Sequence, residues 1–237
     1  MSKIDNMFNS KYSKTLTIVL IIVIIAVIAL LAYFAYDVYT KYAIETESGT
    51  AVEEFENQFA QTNTDTNTEN MIQNAIDPNI DLNSIMNTTG NSGNNNSEGN
   101  KVTYKGYEVI GTIEIPKTKV KYPIIKEEDV GMNSLKVAIC NLYGELNAMG
   151  GNAVLVGHNY RNGTFFSNNK KLSKGDKIHI TDNSGKKVTY TIYHKYETGT
   201  GDFDYATRKI KPNEREISLS TCTDDSSKRL IIWAKEE

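Results

Sequence analysis

The chain has 237 residues, 39% hydrophobic and 23% charged, which is room for one ordinary domain with additions or for two small ones. Its net charge of −3 joins three unlike stretches: residues 1–44 carry four Lys against two Asp, residues 45–100 carry ten Asp and Glu and no Lys or Arg, and residues 101–237 carry 22 Lys and Arg against 17 Asp and Glu. No clustered basic run points to nucleic acid, two Cys exclude a disulfide scaffold, and no Cys-x-x-Cys or His-x3-His spacing offers a zinc site.

Residues 1–15 are a short polar N-terminus. Residues 16–36, Leu16 to Tyr36, hold no charge and are rich in Ile, Val, Leu and Ala. About 20 such residues in a helix cross a hydrocarbon core of about 30 Å. A cleaved signal peptide has a shorter apolar region, and Tyr33, Phe34 and Tyr36 suit an interfacial aromatic belt. Lys3, Lys11 and Lys14 precede the stretch, whereas Asp37, Glu45 and Glu47 follow it. The positive-inside rule therefore predicts a cytoplasmic N-terminus and an exterior location for the rest. Residues 37–100 read as a flexible extracellular linker. From about residue 45 they are rich in Asn, Thr, Ser, Glu and Gln, ending in the run Asn91–Asn100, and bury too little apolar area to offset the ordering of their backbone. Short helices are expected around Ala51–Phe59 and Met71–Ala75, neither long enough to stand alone.

Residues 101–237 are expected to be globular, with mostly β signals. Val109–Ile115 alternates and stops at Pro116. Val120–Ile125 is a second apolar run, and Pro123 inside it predicts an edge strand or a bulge. Ala153–Val156 reads as a strand buried on both faces. Lys177–Thr181 and Val188–Tyr196, joined through Asp182-Asn183-Ser184-Gly185, predict a hairpin. Glu216–Thr221 and Leu230–Ala234 complete the strands. A helix is expected within Ser134–Leu146 and a short turn near Thr164–Lys171. Some seven strands punctuated by turns point to a β-barrel or a sandwich.

Few residues here carry chemistry. Cys222 ends the strand Ile217–Thr221, on the face shared by Ser218 and Ser220. Arg229 begins the next strand, and the polar loop Thr223–Lys228 brings it opposite Cys222, where a guanidinium favours thiolate or holds an oxyanion. His158 follows Ala153–Gly157 at another strand end. A thiol nucleophile needs a proton shuttle and an anion-stabilising donor, and these three residues supply all three functions. Spacing alone leaves the bland alternative open, a buried Cys and a structural His. His194, in phase with Val188, Tyr190 and Ile192, is expected to face the core, and His179 to face solvent. Cys140 lies in an apolar run and is expected to be packed, with a Cys140–Cys222 disulfide conceivable in an oxidising exterior.

Four of these motifs, in order, resemble one family. Ser218-Leu219-Ser220-Thr221-Cys222 followed by Arg229 is similar to the sortase signature, with Ser218 where Thr is usual. Ala153–His158 is similar to the strand ending in the sortase histidine. Gly111–Pro116 and Tyr122-Pro123-Ile124 resemble the first strands of that domain. The resemblance covers about residues 106–235 and includes the anchor and spacer. It implies an all-β fold, a closed barrel of about eight strands with short helices, and a cysteine transpeptidase of Gram-positive cell surfaces acting on L-P-x-T-G-like sorting signals of secreted proteins. Carried over, Cys222 attacks the Thr carbonyl, His158 protonates the leaving amine and deprotonates the incoming cell-wall amine, and Arg229 stabilises the oxyanion. Thr221 helps position substrate, and the Thr223 backbone N–H is a second oxyanion donor. The loop between Tyr196 and Glu216 is expected to gate the signal pocket. Among sortase classes, D or A fits better than B, whose insertion helix has too little room, or C, whose second membrane segment would follow the barrel. Asp202, Asp204 and Glu127-Glu128-Asp129 are oxygen donors of the kind calcium takes, but read better as solvated loop charges, so no cofactor is expected. Other readings are a tethered non-enzymatic barrel that binds peptide or wall polymer, and another wall enzyme such as an L,D-transpeptidase.

Overall fold

The structure, a computed structural model, describes residues 3–73 and 101–237. Helix α1 spans Lys3–Gln73, and the chain divides into two compact units, Met1–Glu45 and Thr46–Glu237. In the first unit the apolar side chains from Leu16 to Tyr36 are solvent-exposed, along helix long and apolar enough to cross a membrane.

The second unit is built on nine strands: β1 (Thr103–Tyr104), β2 (Tyr107–Ile115), β3 (Val120–Ile125), β4 (Ile139–Tyr143), β5 (Asn152–Val156), β6 (Lys177–Asp182), β7 (Lys187–Gly199), β8 (Glu216–Cys222) and β9 (Lys228–Glu236). Their order is β1-β2-β3-β4-β5-β8-β9-β7-β6, and β6 returns to pair with β2. Strands β2 to β9 therefore form a closed eight-stranded barrel, as expected. The pairs β3–β4 and β5–β8 are parallel, the others antiparallel. Two single-turn helices accompany them, α2 (Met132–Leu135) and α3 (Asp204–Thr207).

Pro123 sits inside the barrel wall because β4 joins β3 only at Ile124 and Ile125. On that side Pro123 lies on an uncovered edge, which is where a residue without an N–H is tolerated. The expected helix within Ser134–Leu146 is corrected: helix ends at Leu135, and Ile139–Tyr143 is strand β4, paired with both β3 and β5. Its short apolar run is ambiguous by periodicity, and long-range pairing decides it.

Residues 46–59 differ from a free spacer. Ala51, Val52 and Phe55 are buried. Ala51 and Phe55 pack, with Phe59 beside them, against Val102, Tyr104, Val109, Ile125, Cys140 and Val156. Their helical spacing forms one apolar stripe, and a helix too short to stand alone is held by the barrel. The run Asn91–Asn100 lies outside the described residues. Phe55, 2% exposed, sits at the centre of this contact. Phe55→Ala is expected to cost roughly 3–5 kcal/mol and to lower the melting temperature of the detergent-solubilised chain by roughly 10 °C. The exposed neighbour Glu53→Ala should leave melting unchanged; equal melting of the two variants would refute the packing role.

Candidate active site

Strand register assembles the site. In the parallel β5–β8 pair, Asn152 faces Glu216 and Val156 faces Ser220. Carried two residues on, the same offset sets His158 opposite Cys222. In the antiparallel β8–β9 pair, Cys222 faces Arg229. Neighbouring strands lie about 4.8 Å apart, so the backbone positions of the three residues fall in one row with Cys222 in the middle. Gly157 makes the close approach before His158 possible: a Cβ there would meet Ile139 Cδ1 at 2.5 Å and Phe166 Cδ2 at 2.9 Å.

His158 and Cys222 are both half-buried, and Cys222 is a free thiol. Burial, with the nearby charge of Lys136, holds the His158 imidazole below its ordinary pKa. It is therefore largely neutral at pH 7, the form that accepts a proton. The Tyr160 ring lies 4.8 Å from the His158 ring. Arg229 Nε donates to Thr200 O at 3.3 Å, and its guanidinium lies 5.8 Å from the Phe203 ring.

The segment between β7 and β8 packs over β5, β8 and β9. Tyr205 and Ala206 of α3 bury against Val154 and Ile231, and the Ser220 hydroxyl donates to Tyr205 Oη at 3.2 Å. Arg208 is tied to Glu216 and Tyr193 and lies 4.4 Å over the Trp233 ring. Of the loop expected to gate the site, Tyr205, Ala206 and Arg208 are thus packed and hydrogen-bonded, whereas Lys209 and residues 211–213 are exposed; the glycine-bearing turn Gly199–Asp202 lies beside Arg229. On the barrel-end side a cavity of 430 Å³ opens on Cys222, with Glu197, Asp224, Asp225 and Lys170 in its lining.

Other predicted residues fall differently. The Thr221 side chain is buried, and its hydroxyl donates to Gly157 O at 2.7 Å, so it holds two strand ends together. The Thr223 N–H donates to Lys228 O at 2.9 Å and is committed to the hairpin turn, so as an oxyanion donor it would have to break that bond. His194 does not face the core. A register shift between Ile192 and His194 turns its ring onto Tyr196 and Trp233, at 5.1 and 4.9 Å. His179 is half-buried, with Nδ1 2.9 Å from the Thr189 hydroxyl. Cys140 is unbridged and fully buried, and burial lifts its thiol to about 11, with a hydrogen bond to Ser134 acting the other way. Asp202 accepts bonds from the Thr198 hydroxyl and the Asp204 N–H. Among the described residues no three His, Cys, Asp or Glu side chains converge as a metal site requires. Asn159, which the sequence did not single out, bridges Cys222 and Asp224.

A thiol between an imidazole and a guanidinium is an arrangement for nucleophilic acyl transfer. The family model of the sortase domain matches residues 113–237. The chain belongs to the sortase family. Sortase A of Bacillus anthracis is 30% identical over 131 residues, covering 53% of this chain and 58% of that protein. The chain thus spans little more than half the length of this relative. Among solved structures, sortase A from Corynebacterium diphtheriae is 28% identical over 55% of this chain and 61% of that one, with a TM-score of 0.49. Sortase C-1 from Actinomyces oris is 25% identical over 54% and 73%, also with a TM-score of 0.49. The matched sortase region contains all of β3 to β9, and with them His158, Cys222 and Arg229.

Proposed function

We propose that the chain is a membrane-anchored cysteine transpeptidase. It cleaves an L-P-x-T-G-like sorting signal of secreted proteins and joins them to an amine of the cell wall. The observation that carries this is the row His158, Cys222 and Arg229 at the ends of three adjacent strands. Cys222 gives its thiol proton to the neutral His158 imidazole as its sulfur attacks the signal's Thr carbonyl, and Arg229 takes up the charge that forms on oxygen. His158, as imidazolium, gives its proton to the leaving amine as the C–N bond breaks, and a thioester to Cys222 remains. An acceptor amine then attacks the thioester and gives its proton to His158. The new amide forms and the Cys222 sulfur leaves. If water attacks instead, the same site hydrolyses. Thr221 acts by holding the Cys222 strand against Gly157 rather than by touching substrate. Lys3, Lys11 and Lys14 before the apolar stretch favour a cytoplasmic N-terminus, with the barrel outside.

The test uses a peptide library of the L-P-x-T-G kind, with and without an amine acceptor. The expected result is an amine-dependent ligation product and a thioacyl adduct on Cys222 seen by mass. Transfer only between peptidoglycan stem peptides would replace this reading with an L,D-transpeptidase. A folded protein that cleaves nothing and whose Cys222 resists iodoacetamide would be a binding module.

A further inference from the structure

We propose that Asn159 is the positioning residue that sets the spacing of His158 and Cys222, an inference that rests on the transpeptidase reading above. The β5–β8 ladder stops before both residues. Its last backbone bond runs from Gly157 N–H to Ser220 O, at 3.3 Å. Beyond it the two strand ends are free to part, and side chains take over. The Thr221 hydroxyl bonds Gly157 O at 2.7 Å. The Asn159 amide then donates to Cys222 O and to Asp224 Oδ1, both at 3.0 Å. Its own Oδ1 accepts the Arg161 N–H at 3.1 Å, at a residue whose φ of 61° lies in the left-handed region. Asp224 is held in turn by Lys170, and the His158 carbonyl by the Phe166 N–H at 3.1 Å.

The two staples bracket the reacting pair, one a residue before it and one at it. Both are geometric: Asn159 bonds the backbone of Cys222 and leaves the sulfur unobstructed. Loosening it lets the imidazole drift from the thiol, and a misplacement of about 1 Å costs on the order of 10²-fold in rate. Cys222 O, part-exposed, can turn to water, so folding should change little.

The experiment compares the full chain in detergent with Asn159→Ala, Asn159→Asp and Arg161→Ala. Asn159→Asp keeps the shape and the acceptor but loses the donors. Arg161→Ala removes a neighbouring loop contact, Arg161 Nη2 to Ser226 Oγ at 3.4 Å, that does not reach the pair. Both Asn159 variants should lower kcat for peptide cleavage by roughly 10- to 100-fold, with KM and melting temperature nearly unchanged. Arg161→Ala should stay within about twofold, because surface contacts away from the site matter little. The pH profile of Cys222 alkylation by iodoacetamide gives a second readout. Lys136 near His158, Arg229 opposite Cys222, and the Lys170–Asp224 pair beside Asn159 are present in every variant, but Asn159→Asp adds a carboxylate next to Asp224, so Asn159→Ala is the variant in which only the spacing changes. The alkylation midpoint should move to higher pH in Asn159→Ala as the imidazole that takes up the thiol proton moves away. An unchanged midpoint in Asn159→Ala, full activity in Asn159→Asp, or an equal loss in Arg161→Ala would each overturn the proposal. Alkylation needs no peptide, so a wild type that cleaves nothing would sink the transpeptidase reading while the staple is still judged.

Discussion

Cys222→Ala should abolish peptide cleavage and ligation together, a loss of about 10⁴-fold or more in kcat/KM. His158→Ala should fall nearly as far, and the double variant no further, because residues acting in one step are not additive. Sulfur and imidazole serve a single proton and electron-pair path. Without the sulfur no thioester forms. Without the imidazole the leaving amine departs unprotonated and the acceptor amine attacks with its proton in place. The second thiol offers no substitute: Cys140 is fully buried, and its pKa is raised to about 11. The measurement is separation of peptide products with mass detection of the thioacyl adduct. Cys222→Ala retaining activity within tenfold would remove it as the nucleophile. His158→Ala with undiminished ligation would assign the proton transfers to another group.

The Val120–Ile125 and Lys177–Tyr196 strands were legible because apolar alternation and turn residues are local signals. His158, Cys222 and Arg229 drew notice for a related reason: each stands at a strand end, where a motif marks it. What escaped depended on partners far away in the chain. Strand β4 is a strand because β3 and β5 flank it. His194 left its expected face because of one register shift. Asn159 carries no sequence signal, since its partner is the backbone of a residue 63 positions away. Thr223 was assigned a free N–H that the hairpin turn uses.

Composition also misplaced the end of the spacer. Acidic and amide residues dominate from Glu45 onward, yet Ala51, Val52, Phe55 and Phe59 make one stripe on a helix. The barrel's outer face at β1–β5 supplies what that stripe lacks by itself. Low overall hydrophobicity describes an average, while packing depends on which face holds the few apolar residues.

Arg229→Ala should lower kcat by roughly 10²–10³-fold, the cost of removing one oxyanion donor, and Arg229→Lys should recover only a small part of it. Lys restores the charge but not the planar fork that can bond an oxyanion and a second carbonyl of the signal at once. In the unliganded site Arg229 bonds Thr200 O through Nε and lies near the Phe203 ring. Its Cα faces that of Cys222 across the hairpin, so the side chain starts from the strand next to the thiol, within reach of a carbonyl bound there. The Thr200 contact also fixes its approach, which an ammonium on a flexible stem would not keep. KM should rise as well, because the same group aligns the signal backbone before attack. Steady-state kinetics with a fluorogenic signal peptide separates the two effects, and iodoacetamide labelling of Cys222 checks that the variants are folded. Arg229→Lys within about twofold of wild type would mean that charge alone suffices, and the fork geometry assigned to Arg229 would then be wrong.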